Sequence, residues 1–457
     1  MKQHETKRSS FSGKIGFVLS AAGASVGLGN IWRFPYLAAK YGGGIFLVIY
    51  IILALTFGYT MIIAETSLGR MTRKSPVGAY ASFGKSKWIL AGGWINAVIP
   101  ILIVPYYSVI GGWVIKYLVS YATGQTQLVA ADGYFSEFIS DGVSTDIYFV
   151  VFALIVLAII YAGVRNGIER VSKFMMPVLV ILSLIITVYS VTRPGALAGV
   201  KYFLVPNVSN FSWMTVVTAM GQMFYSLSIA MGILITFGSY MKKETSIEES
   251  TKQVEIFDTA IAMMAGLMII PAVFAFSGGD AKTLQAGPAL MFITIPKVFA
   301  SMGFGTFAGV MFFLLVLFAA LTSSIALTES AVSTFEDEFG WNRKKSTVII
   351  GVIMIVIGSL SALGYGPLAN VKIIGMQFLD FFDFLTNTVM MPIAAIATCL
   401  LVSKVVGVQR IEEEVTHGEG TFRRKEIFCF MIRYLCPIFA GLILLSSIAN
   451  AFGWISM

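Results

Sequence analysis

Residues 23–35 read Gly-Ala-Ser-Val-Gly-Leu-Gly-Asn-Ile-Trp-Arg-Phe-Pro and lie within an apolar run that covers residues 15–39. Glycine in a helix interior costs about 1 kcal/mol relative to alanine. Gly23, Gly27 and Gly29 therefore predict a helix that unwinds locally. The alternative is close packing, because Gly23 and Gly27 also form a G-x-x-x-G pair of the kind at which two membrane helices approach each other.

A second interruption lies in the apolar run 213–240, which contains Ser-Leu-Ser-Ile-Ala-Met-Gly at residues 226–232. An unwound turn at bilayer depth is tolerated only where its free backbone groups face a cavity, an ion or a ligand. Transporters built from an inverted repeat place one broken helix in each half, with the binding site between them. The two interruptions together favour a transporter with a site at the midplane.

The composition is that of a membrane protein. Of 457 residues, 57% are hydrophobic and 12% are charged, against about 25% charged in a soluble domain. The chain contains eleven runs of the roughly 20 apolar residues that a spanning helix needs. These cover residues 15–39, 42–64, 88–121, 147–163, 174–192, 213–240, 255–279, 298–328, 346–364, 373–401 and 428–452. Residues 280–297 are too broken to span and suit an outer re-entrant or hairpin loop.

The charge distribution indicates orientation and not nucleic-acid binding. The net charge is +8, and most basic residues fall in the connections that are cytoplasmic if the N-terminus is inside, as the positive-inside rule requires. The second outer loop is acidic. We therefore expect a multi-pass protein of the cell membrane with a cytoplasmic N-terminus and, since the span count is odd, an external C-terminus.

Residues for enzymatic or metal chemistry are scarce. The two histidines, His4 and His417, lie in polar segments, and the three cysteines form no C-x-x-C pair. The spans contain no pairing of a nucleophile with a base. An enzyme is therefore not expected.

Ionisable residues inside spans are costly and usually functional. Arg33 lies in the first span, and its candidate partners are Asp380 and Asp383 in the tenth, although residues near a helix end also reach outer water. Asp258, in the seventh span, has no basic neighbour in its own span. A bound cation is an attractive counter-charge for it.

The eighth span contains three consecutive hydroxyl residues, Thr322, Ser323 and Ser324. Such hydroxyls most often satisfy a backbone carbonyl one turn back. Three together beside free carbonyls also suit a hard cation such as sodium, which takes oxygen ligands as calcium does.

Four separated motifs resemble those of the neurotransmitter:sodium symporter family. They are Gly27–Pro35, Tyr106-Tyr107, Ser226-Leu227-Ser228 and Thr322-Ser323-Ser324. The similarity extends from about residue 8 to the end and is greatest to the bacterial multi-hydrophobic amino-acid transporters with eleven spans. It implies an all-α membrane protein with helices 1 and 6 unwound, forming a single domain over residues 1–457. A five-plus-five inverted repeat would occupy residues 14–192 and 213–401, with an extra span at 428–452.

The resemblance also implies ligand sets, including two sodium ions. A first sodium would contact Ser25, Asn30, Ser226, Asp258 and the substrate carboxylate. A second would contact Gly23, Val26, Ala319, Thr322 and Ser323. The substrate would contact Ser25, Leu28, Gly29, Ile103, Tyr107, Tyr225, Ser226, Ser228, Met231, Ser323 and Leu327, with Ala230 also in the side-chain pocket.

Gates are implied on both faces. The outer gate would pair Arg33 with Asp383, and the inner gate would pair Arg8 with Asp337, supported by Ser239 and Tyr240. Gly167 and Pro177 match a spacing that lets the fifth helix unwind in the family, although a proline near a helix start is common. Phe11 stands where the family usually has tryptophan.

The implied function is sodium-coupled import of a hydrophobic L-amino acid, aromatic or large aliphatic, by alternating access. Gly27 leaves no side chain where amine carriers have an aspartate, so the substrate must supply the carboxylate. Met231 adapts to large ligands, unless it only fills the core. Chloride should not be required because Asp258 supplies a fixed charge, although Tyr50 and Gln222 occupy chloride-site positions. A sensor that binds an amino acid without moving it is the alternative.

Overall fold

The computed structural model describes residues 9–278, 288–417 and 421–451, and every regular element in these ranges is a helix. The main helices are α1 Lys14–Ser25, α2 Gly29–Lys40, α3 Gly44–Thr72, α4 Lys87–Ala122, α5 Gly142–Tyr161, α6 Val164–Val191, α7 Trp213–Ser226, α8 Ile233–Tyr240, α9 Ile247–Ser277, α10 Gly305–Phe339, α11 Arg343–Leu363, α12 Phe378–Val406 and α13 Lys425–Asn450. Short helices cover Pro76–Ala81, Thr126–Val129, Tyr134–Ser140, Ala196–Leu204, Val208–Asn210, Leu290–Ser301 and Val408–Thr416.

The all-helical fold confirms the prediction, and each predicted span overlaps one of these helices or helix pairs. Within the described ranges, nine helices are long and apolar enough to cross a membrane, and the bent pair α1 and α2 makes a tenth. The predicted span 213–240 consists of α7 and α8, which are each too short to cross alone. The count of eleven therefore stays a prediction.

The broken helices lie at the centre of the bundle. Helix α1 packs against α6, α9 and α10, and α8 packs against α3 and α10. All eight residues of α8 are buried, as expected for a helix that is apolar on every side. By contrast, α5 exposes large apolar residues such as Ile147 and Leu154, which is typical of a surface that faces lipid.

Several helices are longer than the apolar runs that predict them, among them α6 and α10. Helix α6 begins at Val164 and not near residue 174, because its charged first turns are held by partners: Glu169 is 2% exposed and pairs with Lys173. Helix α10 continues to Phe339. In the predicted outer loop 280–297, residues 280–287 lie outside the described residues, and the short helix Leu290–Ser301 begins in the second half of the loop.

Candidate functional site

The break in the first helix is a short extended segment. Helix α1 ends at Ser25, Val26 adopts an extended conformation, and α2 begins at Gly29 with a bend of 53°. A Cβ atom on Gly27 would stand 2.7 Å from the Ser323 hydroxyl and 3.0 Å from the Tyr107 hydroxyl. Any side chain at residue 27 would therefore fill the space between three helices.

The break in the sixth helix is wider and covers residues 227–232. Ser228, Ala230 and Gly232 all have positive φ, at 54°, 59° and 70°, which only glycine adopts without strain. Two hydrogen bonds hold this backbone. The Ser228 hydroxyl donates to the Ala24 carbonyl at 3.0 Å, and the Ala230 amide donates to Glu65 Oε1 at 2.8 Å.

The two breaks line a small pocket with about 30 Å³ of open space. Its lining comprises Ala24, Ser25, Gly27, Leu28, Gly29, Asn30, Ile103, Tyr107, Tyr225, Ser226, Ser228, Met231, Ile233, Ser323 and Leu327. Every residue in the predicted substrate set is brought together here. Ala24 and Ile233 are additional lining residues. The prediction that Ala230 lines the side-chain pocket is wrong, because Ala230 is absent from the lining, and its amide donates to Glu65.

The pocket has one polar end and one apolar wall. At the polar end the Leu28 amide donates to the Tyr107 hydroxyl at 3.1 Å, beside the start of α2, where free amides favour an anion. The apolar wall consists of Ile103, Tyr225, Met231 and Leu327. The lining residues include no charged side chain. The pocket can therefore hold a ligand with a small polar head and an uncharged apolar body.

Asp258 is the centre of a fully buried polar cluster. Its carboxylate accepts hydrogen bonds from the Asn30 amide at 2.8 Å and the Tyr50 hydroxyl at 2.9 Å. The Ser226 hydroxyl also donates to it, at 2.8 Å and 3.0 Å from its two oxygens. No basic side chain of the described residues forms an ion pair with it. The predicted ligands Asn30, Ser226 and Asp258 thus converge around one uncompensated charge, adjacent to the pocket.

A second group of oxygens lies where α1 contacts α10. The Ser323 hydroxyl lies 3.4 Å from the carbonyl oxygens of both Gly23 and Val26. The Thr322 hydroxyl donates to the Ala319 carbonyl at 3.1 Å. The five predicted ligands of the second ion are thus neighbours. The oxygen ligands here are hydroxyls and carbonyls, which suit a hard cation. In the described part of the chain, no three His, Cys, Asp or Glu side chains are grouped so that they could hold a metal ion.

The predicted outer pair is not in direct contact. Arg33 and Asp383 both line a cavity of about 560 Å³ above the pocket, but no ion pair joins them in the described structure. The Arg33 guanidinium lies over the Tyr225 ring, 5.4 Å from its centre. Asp383 instead accepts from the Tyr106 hydroxyl at 3.2 Å and the Asn387 amide at 2.5 Å. Their role as a gate stays a prediction.

The predicted inner pair is only half visible, because Arg8 lies outside the described residues. Asp337 accepts a hydrogen bond from the Ser75 amide at 2.6 Å. The Tyr240 hydroxyl donates to Glu329 at 2.6 Å, and Arg343 forms an ion pair with Glu329 at 2.5 Å. Glu329 and Arg343 were not predicted to lie near the inner pair. A glutamate in an apolar helix is nevertheless a recognisable feature of the sequence.

Glu65 is the most informative residue that the sequence analysis missed. It is fully buried, one oxygen accepts from the Ala230 amide, and the other has no hydrogen-bond partner in the described structure. It therefore supports the strained segment of the sixth helix. The signal was present, because Glu65 directly follows the apolar run 42–64, and an ionisable residue at membrane depth is a functional candidate by default.

Comparison with known proteins gives one consistent family. Residues 8–132 and 134–453 match the sequence profile described as the Sodium:neurotransmitter symporter family. An uncharacterized sodium-dependent transporter of Bacillus subtilis is 33% identical over 441 residues, covering 95% of this chain and 96% of its own length. An uncharacterized sodium-dependent transporter of Haemophilus influenzae is 30% identical, covering 98% of this chain and 100% of its own length.

A solved structure shares the fold. The crystal structure of MhsT in complex with L-phenylalanine superimposes with a TM-score of 0.86 at 33% sequence identity. The match covers 96% of this chain and 100% of that one.

Proposed function

The chain belongs to the sodium:neurotransmitter symporter family, and we propose that it imports a hydrophobic L-amino acid, aromatic or large aliphatic, together with sodium. As a sodium-dependent symporter of this family it is a multi-pass membrane transporter. The finer proposal rests mainly on one observation: a pocket with a polar end beside Asp258 and an uncharged apolar wall.

The polar end favours a substrate with its own carboxylate. The Leu28 amide donates to the Tyr107 hydroxyl oxygen at the start of α2, and the proton of that hydroxyl can be donated to a carboxylate where the helix dipole also favours negative charge. Gly27 contributes no side chain here, and the Ser323 and Tyr107 hydroxyls lie 2.7 Å and 3.0 Å from where its Cβ atom would stand. An α-amino acid places its carboxylate here and its ammonium against the free carbonyls of the two breaks.

The apolar wall sets the side-chain preference. Burial of an unpaired charge among Ile103, Tyr225 and Leu327 is prohibitive, so basic and acidic amino acids are excluded. Met231 is unbranched and adapts to ligands of different shape. L-phenylalanine bound to MhsT, a relative of the same fold, supports an aromatic or large aliphatic side chain here.

We assign one sodium to the Asp258 cluster. Asn30, Ser226 and Asp258 already lie within hydrogen-bonding distance of one another, and the Ser25 carbonyl would complete the protein ligands. The substrate carboxylate would be a further ligand. Because the ion then contacts both protein and substrate, each increases the affinity for the other.

A second sodium would lie between α1 and α10, held by Gly23, Val26, Ala319, Thr322 and Ser323. This ion would join the end of α1 and the first residue of the break to α10, so its loss would release α1 from α10. Chloride is not required in this scheme because the Asp258 carboxylate already balances the added positive charge. Gln222, at a chloride-site position, instead donates to the Gly29 carbonyl at 3.0 Å.

We also propose the membrane topology that alternating access requires. Spans 1–5 and 6–10 form an inverted repeat, residues 14–192 and 213–401, in the cell membrane with the N-terminus cytoplasmic and the C-terminus external. The Arg33 and Asp383 side chains, on opposite walls of the outer cavity, would meet when the outer gate closes.

Counterflow in proteoliposomes tests this function. Vesicles preloaded with unlabelled L-phenylalanine should accumulate labelled L-phenylalanine in sodium and not in choline. Tryptophan, tyrosine and leucine should compete, whereas lysine and glutamate should not. Stronger competition by glycine or alanine than by aromatic amino acids contradicts the proposed pocket, and binding without counterflow contradicts transport.

A further inference from the structure

Three sulfur atoms meet where α3, α12 and α13 pack together. The Cys399 thiol, on α12, donates a hydrogen bond to the Met61 thioether, on α3, with 3.7 Å between the two sulfurs. The Cys436 thiol, on α13, interacts directly with the Cys399 thiol. All three residues are buried, and none is more than 1% exposed. We call this group, Met61, Cys399 and Cys436, the sulfur cluster.

The cluster contains two of the three cysteines of the chain. Buried cysteines often act only as small apolar side chains. That role does not require two thiols and a thioether from three helices to face one another. Helices α12 and α13 pack along each other, and both contact α3. The three sulfurs are therefore held in place by the packed helices, as the ligands of a binding site must be.

The spacing of the sulfurs suits a shared metal ion. At a metal–sulfur distance of about 2.3 Å, the sulfurs of a three-coordinate site stand about 4.0 Å apart. The Cys399 and Met61 sulfurs are 3.7 Å apart, so metal binding requires only a small adjustment. Thiolate and thioether ligands select soft ions such as Cu⁺, whereas the hydroxyl and carbonyl oxygens of the proposed sodium sites suit hard ions.

The buried position determines the charge of the ion. An uncompensated charge at membrane depth is costly, and cysteine binds metals as the thiolate. One thiol therefore loses its proton to solvent: its S–H bond breaks and a sulfur–metal bond forms, while the other thiol and the thioether bind as neutral donors. The product is neutral if the ion is monovalent. A divalent ion such as Zn²⁺ would need both thiolates and, in most structural sites, a fourth ligand.

We propose that the sulfur cluster binds one soft monovalent metal ion of the Cu⁺ type, with Cys399 and Cys436 as the thiolate and thiol ligands and Met61 as the thioether. The bound ion would join α3 to α12 and α13. Met61 lies one turn before Glu65 on α3, and Glu65 accepts a hydrogen bond from the Ala230 amide in the broken sixth helix. The ion would therefore restrain the helix that supports this break.

Competition for Cu⁺ tests the site directly. The full chain, reconstituted in nanodiscs under anaerobic conditions, is titrated with Cu⁺ in the presence of the chromogenic chelator bicinchoninate. The parent protein should retain one Cu⁺ per chain, release one proton, and develop an ultraviolet sulfur-to-copper charge-transfer band. Its melting temperature should rise, because an ion that binds only the folded protein stabilises it.

Substitutions identify the ligands. Cys399→Ser and Cys436→Ser should each weaken Cu⁺ binding at least about 100-fold, because loss of a group that only supports a metal ligand already costs about 10- to 100-fold. Met61→Leu conserves volume and should weaken binding roughly tenfold, since it removes a neutral ligand. Cys429→Ser is the matched control: this thiol near the start of α13 is partly exposed and lies outside the cluster. The control should bind Cu⁺ like the parent.

The proposal is overturned if the parent protein withdraws no Cu⁺ from bicinchoninate, or if Cys429→Ser weakens binding as much as Cys399→Ser does. Zn²⁺ that displaces Cu⁺ at equal concentration overturns the assignment to a soft monovalent ion. Met61→Leu decides the matter if neither cysteine variant of the cluster folds, and parental affinity in Met61→Leu contradicts a site of three sulfurs. Binding needs neither sodium nor an amino acid, so failure of the proposed transport function leaves this test intact.

Discussion

Replacement of Asp258 by asparagine should weaken sodium binding without dismantling the site. The carboxylate is fully buried, and its donors lie 2.8–3.0 Å away. An ion seated among these oxygens would lie about 4 Å from the centre of the charge. Two unit charges at about 4 Å attract by about 4 kcal/mol at an effective dielectric constant of about 20.

Asparagine keeps one oxygen and its dipole, so part of this attraction survives. We expect a net loss of about 1.5–3 kcal/mol, or roughly 10- to 100-fold in the half-saturating sodium concentration. The amide nitrogen would also face the donors Asn30 and Tyr50, which costs about 1–3 kcal/mol of stability. The melting temperature without sodium should therefore fall as well.

The assay is a sodium titration of L-phenylalanine binding at constant ionic strength, with choline as the replacement cation. The rise in melting temperature with sodium is measured in parallel, so that the loss of stability is separated from the loss of ion binding. Asp132→Asn is the control, because that carboxylate is exposed in an outer loop and its pKa is lowered by the hydrogen bond from Lys297. An unchanged half-saturating sodium concentration in Asp258→Asn would refute the assignment of the first ion.

Three further results are expected. Thr322→Ala combined with Ser323→Ala removes two hydroxyl ligands and should weaken sodium binding by about 2–4 kcal/mol; wild-type sodium affinity in the double variant would show that the second site is misplaced. Uptake should be undiminished when gluconate replaces chloride. A steep loss of uptake would contradict the proposal that the Asp258 charge makes chloride unnecessary. Gly27→Ala should abolish substrate binding, because its Cβ would stand 2.7 Å from the Ser323 hydroxyl; normal L-phenylalanine affinity in this variant would contradict the pocket.

Several residues assigned to the site are recognisable in the sequence because polar residues are rare within membrane helices. Glycines, hydroxyls and the carboxylate Asp258 each stand out against an apolar background, and the structure brings them close together. The positions of the helix breaks follow from the same contrast. Local composition therefore identifies the two breaks, Asp258 and the hydroxyl residues, whereas the full ligand sets, including apolar residues such as Ile103 and Ala319, come from the family resemblance.

The gates could not be predicted in the same way. Whether Arg33 meets Asp383 depends on the conformation, since Tyr106 and Asn387 hold the carboxylate here. Ser12 and Glu169 are hydrogen-bonded although they are 157 positions apart in the sequence, and no periodicity or motif predicts this contact. Long-range contacts between polar or charged residues near helix ends can be identified only in the folded structure.

In the proposed mechanism, an inward sodium gradient drives a hydrophobic amino acid through this pocket. The most direct measurement is the initial rate of L-phenylalanine uptake into proteoliposomes, with sodium outside only, with equal sodium on both sides, and with choline. We expect transient accumulation above equilibrium only with the inward sodium gradient, and its loss in Asp258→Asn at low sodium. Uptake that is equal in sodium and choline, or no accumulation under the gradient, would contradict the account.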